Sequence, residues 1–448
     1  MVRPRHGSDL RSMAIPLAYA TGAVLLGMAL PRLETHYLPH SSALIGPEAA
    51  LAIGSSIASG MMALTGIVFS LAFVMVQFSA TAYSPRLVLW LARSPVITHS
   101  IGVFTATFLY AIAALAWVGR AGSVPVPFVT AWVQVLLLLV SVVFFARLVD
   151  RVGMLQIGRV LAFIGDRGRE IVDVLYQPLD PSPGSGAHAR EAPPPLGPVV
   201  QELQHRGTPA ALEAVDVSLL QQLAARSDAV IAMAVGVGDT VMEGIPLLRV
   251  HGLTALSEER LRDAVTLGRE RTFEQDPKYA IRLLVDVGIK ALSPAINDPT
   301  TAVQALDQIG DLLLRLGRSD LDVGGRIEAS GRLRLVMIVP SWEDFLGLAI
   351  DEIRFYGATS IQVMRRLRAV LQDLHAQLPV ARQPAVAVHL ERVDRTIERN
   401  FVDADDLRDA RTTDRQGLGL SRTSEGRSPA PCSTEGAAPA GGTRPAER

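Results

Sequence analysis

LAIGSSIASGMMALTGIVFSLAFVMVQFSATAYSPRLVLWLA, residues 51–92, decides how the chain is read. No charged residue stands from Ala49 to Phe78. As a helix that stretch measures about 45 Å at about 1.5 Å per residue, and about 20 residues already span the hydrocarbon core of a bilayer. The segment crosses a membrane with length to spare, which tilt or an interfacial end absorbs. Its small and faintly polar residues are not scattered. Ser55, Ser59, Ala63, Gly66, Ser70, Val74, Gln77 and Thr81 recur every three or four positions and share one face. Ile57, Met61, Leu64, Phe69, Phe73 and Val76 are expected opposite them. Such a stripe on a spanning helix either lets another helix approach closely or lines a wet path.

Outward from that helix the chain divides sharply. Residues 13–146 are strongly apolar, and Met13–Leu30, Val96–Val118 and Phe128–Ala146 each read as a further span. A signal peptide competes for the first run. Pro31, Arg32, Leu33 and Glu34 follow it, however, with no small-residue cleavage pattern. Residues 31–48 read as a polar loop, and the spans lack buried acids. Arg3, Arg5, Arg11, Arg86, Arg93, Arg147, Arg151 and Arg159 lie on one side of the spans, against Arg32 and Arg120 on the other. That bias puts both termini in the cytoplasm. All but Lys278 and Lys290 of the 43 basic residues are Arg; the net charge of −1 gives no bulk attraction to nucleic acid. The one cysteine, Cys432, excludes a disulfide within the chain and a cysteine metal cluster.

Residues 1–12 form a cytoplasmic N-terminus ahead of a four-helix membrane domain, 13–146. Residues 147–176 read as an amphipathic juxtamembrane helix that extends the fourth span or lies on the membrane. Residues 177–198 are a Pro-rich linker, 199–400 a cytoplasmic α+β domain, and 401–448 a disordered tail. Within the domain, AVIAMAVGVGDTVMEGIPLLRV, 229–250, alternates apolar residues around Gly238-Asp239 and Glu243-Gly244, both turn pairs. It resembles half of the small β barrel-sandwich of lipoyl and biotinyl carriers, without their modifiable Lys. That implies a compact β module and no swinging arm. Residues 331–340 read as a strand and 342–378 as one or two helices, with Asp351, Glu352, Arg354, Arg365, Arg366 and Arg368 on a solvated face. A last helix runs over about 384–399.

GRERTFEQDPKYAIRLLVDVGIKALSPAINDPTTAVQAL, 268–306, is the most distinctive stretch of the domain. Asp276-Pro277 and Asp298-Pro299 each start a helix, an acid followed by Pro in the first turn. Lys278, Arg282, Asp286 and Lys290 step along one charged face. Arg269, Arg271, Asp276, Arg282, Asp286, Asn297 and Asp298 gather in this stretch. One reading is a ligand or anion site at helix N-termini; the other is capping and solvated ion pairs. Nothing has metal-ligand spacing, no cofactor motif stands out, and Gly236-x-Gly238 lacks the rest of a nucleotide loop. His205, His251, His375 and His389 carry no catalytic signature, so an enzyme is not expected.

The succession ALTGIVFSLAFVMVQFSATAYSPRLV, VGDTVMEGIPLLRV and the 268–302 stretch resembles a bacterial family of predicted membrane proteins of unknown function. Tyr83-Ser84-Pro85-Arg86 approximates that family's Pro-Arg ending, and Ala291–Thr300 is its most specific loop; the resemblance covers about residues 12–400. It implies an inner-membrane topology and a fold, and no activity that a residue here inherits. Two functions follow. The first is an oligomeric, channel-like protein with the 50–82 helix at its centre. The second is a membrane-anchored sensor or scaffold that takes a small ligand or ion at 268–300. The partners expected are the lipid bilayer and further copies of the chain, and no nucleic acid.

Overall fold

A computed structural model describes residues 8–38, 46–82, 95–121, 127–153, 156–179, 196–328, 331–415 and 417. Helices α1 (Ser8–Tyr37), α2 (Pro47–Ala82), α3 (Pro95–Ala121) and α4 (Phe128–Gly153) carry the apolar part. Each is long and apolar enough to cross a membrane. Helix α3 is central and packs against α1, α2 and α4. Thr107 Oγ1 and Ser141 Oγ, 2.9 Å apart, join α3 to α4 across this packing. Polar pairs between spanning helices give specificity where lipid offers no hydrophobic drive.

The loop expected over 31–48 begins later, because α1 runs through Pro31 to Tyr37. Proline is tolerated in a spanning helix where neighbours and local polar groups satisfy the freed backbone. The extra turns deliver Glu34 to α4. It is 4% exposed and accepts hydrogen bonds from Val129 N at 2.6 Å, Thr130 N at 2.9 Å and Thr130 Oγ1 at 3.0 Å. A carboxylate from one helix thereby caps the free N–H groups of another. The expectation that the spans hold no buried acid is corrected by Glu34, which serves as that cap.

Helix α5 (Ile157–Leu175) follows α4. Of the juxtamembrane helix expected over 147–176, residues 147–153 continue α4 and residues 157–175 form the separate helix α5. Helix α5 buries Val160, Leu161, Ile164, Ile171 and Val172 against α8 (Pro277–Ala291) and α9 (Pro299–Gly317). Gly168 makes that approach feasible: a Cβ there would sit 2.8 Å from Leu312 and 3.1 Å from Ala280. The Pro-rich linker lies mostly outside the described residues.

The domain beyond holds two sheets and a helical layer. Strands β1 (Val199–Gln204), β5 (Pro246–His251), β3 (Val230–Met233), β8 (Leu333–Val336) and β7 (Gly325–Ile327) form one sheet in that order. Strands β4 (Thr240–Val241), β2 (Ala210–Val215) and β6 (Val265–Gly268) form the other. Helices α6 (Val217–Arg226) and α7 (Glu258–Asp263) close the module around Leu203, Leu212, Leu220, Ile231, Leu248 and Leu261. Gly238 and Gly244, at φ +90° and +81°, make the two turns expected between its strands. The expected strand 331–340 shrinks to β8, which pairs parallel to β3 and so closes the module from beyond α9.

Helices α10 (Trp342–Tyr356), α11 (Ile361–Gln377), α12 (Gln383–Asn400) and α13 (Ala404–Arg411) pack with α5, α8 and α9 into one core. Helix α13 corrects the boundary drawn at 401. Asp403 caps it from Asp405 N and Asp406 N, and Ala410 is buried. Its anchor is the arginine face expected to be solvated. Arg365 is 6% exposed, Arg368 Nη1 donates to Arg411 O at 3.0 Å, and Arg366 Nη1 donates to Arg415 O at 3.2 Å. Low apolar content hid this segment, because polar groups hold much of it.

The packing of α5 is measurable. Leu161→Ala should lower stability by about 2–5 kcal/mol, as for a large-to-small change in a packed core, read as a drop in the domain's melting temperature. A helix lying on a membrane surface would lose less than about 0.5 kcal/mol.

Candidate functional site

On α2 the structure separates two faces. Ile57, Met61 and Val68 are buried and, with Leu64, pack against α3. Ser55, Ser59, Gly66, Ser70 and Gln77 are exposed, on the side away from the rest of the chain. The side chain of Thr81 lies outside the described residues. Gly54 is closed in, since a Cβ there would lie 2.8 Å from Leu115, whereas Gly60 and Gly66 have nothing within 4 Å. Ser59 Oγ donates to Ser56 O at 3.1 Å, a local bond that lets a hydroxyl sit on an apolar helix. Phe69 and Phe73 are not opposite the stripe. They are 59% and 71% exposed and stand on the outward face beside it. The outward face therefore carries Ser55, Ser59 and Gly66 with the large Met62 among them, and Phe69 and Phe73 further on.

The 268–300 residues do not form one site. Helix α8 is about 22 Å long at about 1.5 Å per residue, and it holds Asp276 at one end and Asn297-Asp298 beyond the other. Asp298 caps α9: Oδ1 accepts from Thr301 N at 3.1 Å and Oδ2 from Thr301 Oγ1 at 2.6 Å. Asn297, at φ +50°, makes the left-handed turn that aims it. Arg282 bridges Asp286 and Glu352, donating to Glu352 from Nη1 at 2.7 Å and Nη2 at 2.8 Å. This fork raises the Arg282 guanidinium and holds Glu352 below its ordinary value. Arg269 is exposed and Arg271 half-buried. These groups cap and brace; only one end of α8 is unsatisfied.

That end is Asp276. It is 1% exposed, and neither carboxyl oxygen has a hydrogen-bond partner among the described residues. It occupies the cap position of α8 without using its side chain as a cap. Gly238 of the β module packs on it so closely that a Cβ there would collide with Oδ2. Burial raises the Asp276 carboxyl above its ordinary value, against the opposing pull of Lys278, Arg271 and the backbone N–H groups of Lys278 and Tyr279, which lie near it without hydrogen-bond geometry. Tyr176, at the end of α5, is pushed up to about 12, first by its own burial and then by Asp276. So the β module, the α8 helix layer and the helix leading from the spans meet at one buried acid. Sequence reading placed Asp276 in a cluster but missed Tyr176 and Gly238 as its neighbours. The Gly238-Asp239 turn pair was visible; its partner 38 residues on was not. No group of three or more His, Cys, Asp or Glu side chains is placed to hold a metal ion among the described residues.

Four apolar helices with this α+β domain define a multi-span α-helical membrane protein. The chain belongs to the family described as "Predicted membrane protein (DUF2254)", whose model matches residues 11–373. It is similar to uncharacterized proteins of Mycobacterium bovis and Mycobacterium tuberculosis, 28% identical over 363 residues, covering 78% of this chain and 68% of each of those. No solved structure matches it.

The buried acid has a pH signature. The folded carboxyl holds its proton to higher pH than the unfolded one, at about 3.9. Its contribution to stability is therefore full below that range and is lost as pH rises through the raised folded value. Asp276→Asn should raise the melting temperature at pH 7 and converge with the unmodified protein near about pH 4. Melting curves of both proteins across that range check it.

Proposed function

We propose that the protein is an oligomeric, channel-like component of the bacterial inner membrane, with the outward face of α2 at the contact between copies. The observation that carries this reading is the exposure of Ser55, Ser59, Gly66 and Ser70. The chain turns its small, weakly polar stripe away from its own helices, while Ile57, Met61 and Val68 pack inside. Lipid gives no reward for serine and glycine. Helix α4 has the ordinary lipid face, with Trp132, Leu136, Leu139, Val142 and Val143 exposed. A second α2 can approach Gly66 closely, in the manner of small-residue contacts between spanning helices. Where several copies converge, Phe69 and Phe73 supply an apolar constriction of the kind that gates by dewetting. The arginine bias supports both termini and the α+β domain in the cytoplasm.

Asp276 supports a second reading, a membrane-anchored sensor. A buried acid without a partner lowers stability, and such costs are commonly kept for function. Its place between the β module and α5 suits a joint that a ligand stiffens or loosens.

Gly66→Leu tests the first reading. The unmodified protein reconstituted in a planar bilayer should run as an oligomer and pass current under voltage or tension. The variant should lose both while its α+β domain melts unchanged. A monomeric unmodified protein, or one silent under both stimuli, removes the channel reading.

A further inference from the structure

A cavity of about 520 Å³ opens in the side of the membrane domain, away from the α2 face and from Asp276. Helix α1 lines it with Ile15, Ala18, Tyr19, Gly22, Ala23 and Leu26. Ala106 of α3 and Leu137 of α4 close its back. Small side chains on α1 and α3 make the space. A Cβ on Gly22 would meet nothing within 4 Å, whereas one on Gly27 would lie 2.7 Å from Ala113. Helix α1 therefore touches α3 closely at Gly27 and leaves a gap beside Gly22. Ala18, Gly22 and Leu26 are exposed, so the cavity is a groove open to whatever surrounds the spans. Apart from Tyr19, its lining is apolar.

The groove has the depth of one leaflet. The first candidate span runs over Ala14–Tyr37, which puts Ile15 at its start and Leu26 at its middle. Ala106 falls at the middle of Val96–Trp117, and Leu137 falls close to the middle of Phe128–Asp150. Residues 15–26 cover about 16 Å of helix, and half of a hydrocarbon core about 30 Å thick is about 15 Å. The width excludes a helix. A volume of about 520 Å³ spread over about 16 Å leaves a section about 6 Å across, whereas a helix with its side chains is about 10–12 Å wide. Near the outer end, Tyr19 Oη lies 3.3 Å from His99 Nδ1. The Tyr19 ring rests on Gly102, where a Cβ would sit 2.6 Å from it. His99 is the fourth residue of its span, at the interfacial depth that favours an aromatic ring with a polar end.

We propose that this groove holds one acyl chain of a phospholipid from the leaflet that α1 enters, with the head group beside Tyr19 and His99. The groove is continuous with the lipid face of the spans, where α1 exposes Leu17 and Leu25 and α4 exposes Leu136. A chain lying between α1, α3 and α4 gains dispersion contacts on three sides, more than a chain against a flat helix face. It is therefore retained when the surrounding lipid is exchanged. The site does not involve α2, so it stands apart from the contact between copies proposed above.

Full-length protein in mild detergent, washed to a constant phosphorus content, should keep one phospholipid per chain. Gly22→Leu fills the groove from a position with open space and favours the helix, so it should fold and lose that phospholipid. Ala18→Leu fills the groove one turn earlier and should act in the same direction. Leu17→Phe enlarges an exposed residue outside the lining and should keep the lipid. Where washing strips every lipid, phosphatidylethanolamine added back should raise the melting temperature of the unmodified protein saturably and leave Gly22→Leu unchanged. Equal bound phospholipid and equal melting responses in the unmodified protein and Gly22→Leu overturn the site. So does a variant that keeps its lipid and changes the number of copies in the assembly, since the groove is then a contact between chains.

Discussion

The burial of α8 is the contact on which the rest of the molecule depends. Pro277, Tyr279, Ala280, Ile281, Leu283, Leu284, Val285, Val287, Gly288 and Ala291 are all buried, so the helix is enclosed on most sides. A helix with so wide an apolar face beside its one charged face is stable only when neighbours cover it. Helices α5, α9 and α10 provide the cover, and α2 also reaches it. Each neighbour brings a different part of the protein to one axis. Helix α5 comes from the spans, α10 is bound through the Arg282–Glu352 fork, and the β module rests on the Asp276 end through Gly238. A ligand or a membrane force that shifts one of them acts on the others through a packed core that deforms little.

Against this enclosed helix, α2 is open. Both obey the same rule, that an element buries the face for which it finds a partner. In α8 every face finds one within the chain. In α2 the large apolar residues Ile57, Met61 and Val68 and the buried Gly54 find α3, whereas Ser55, Ser59, Gly66 and Ser70 are exposed. Elsewhere in the membrane domain Glu34 caps α4 and Tyr110 Oη donates to Thr130 O at 3.0 Å, while the buried Ser100 Oγ and Gln134 Nε2 have no hydrogen-bond partner among the described residues.

Arginine carries the polar architecture of the α+β domain. Lysine is nearly absent from the chain, and the planar guanidinium reaches two partners at once, as Arg282 does between Asp286 and Glu352. Arg366 and Arg368 likewise hold the carbonyls after α13.

The sequence by itself determined the four spans, the α+β class, the turns at Gly238 and Gly244, and the two Asp-Pro helix starts. These are local: length, apolar content, turn chemistry and capping act within a few residues and need no knowledge of the fold. It also showed that the α2 stripe existed, because spacing fixes which residues share a face. Only the tertiary structure decided that the stripe looks outward with Phe69 and Phe73 beside it, since which side of a helix is covered depends on where α3 lies. The same holds for α5, whose apolar face looked equally suited to a membrane until α8 and α9 were placed against it. It holds most for the charges. Asp276 and Asp298 share the same Asp-Pro pattern, yet one caps α9 and the other is sealed without a partner beneath Gly238. Spacing cannot separate them, because burial and the pairing of a charge are properties of the surroundings, assembled from residues far away in the chain.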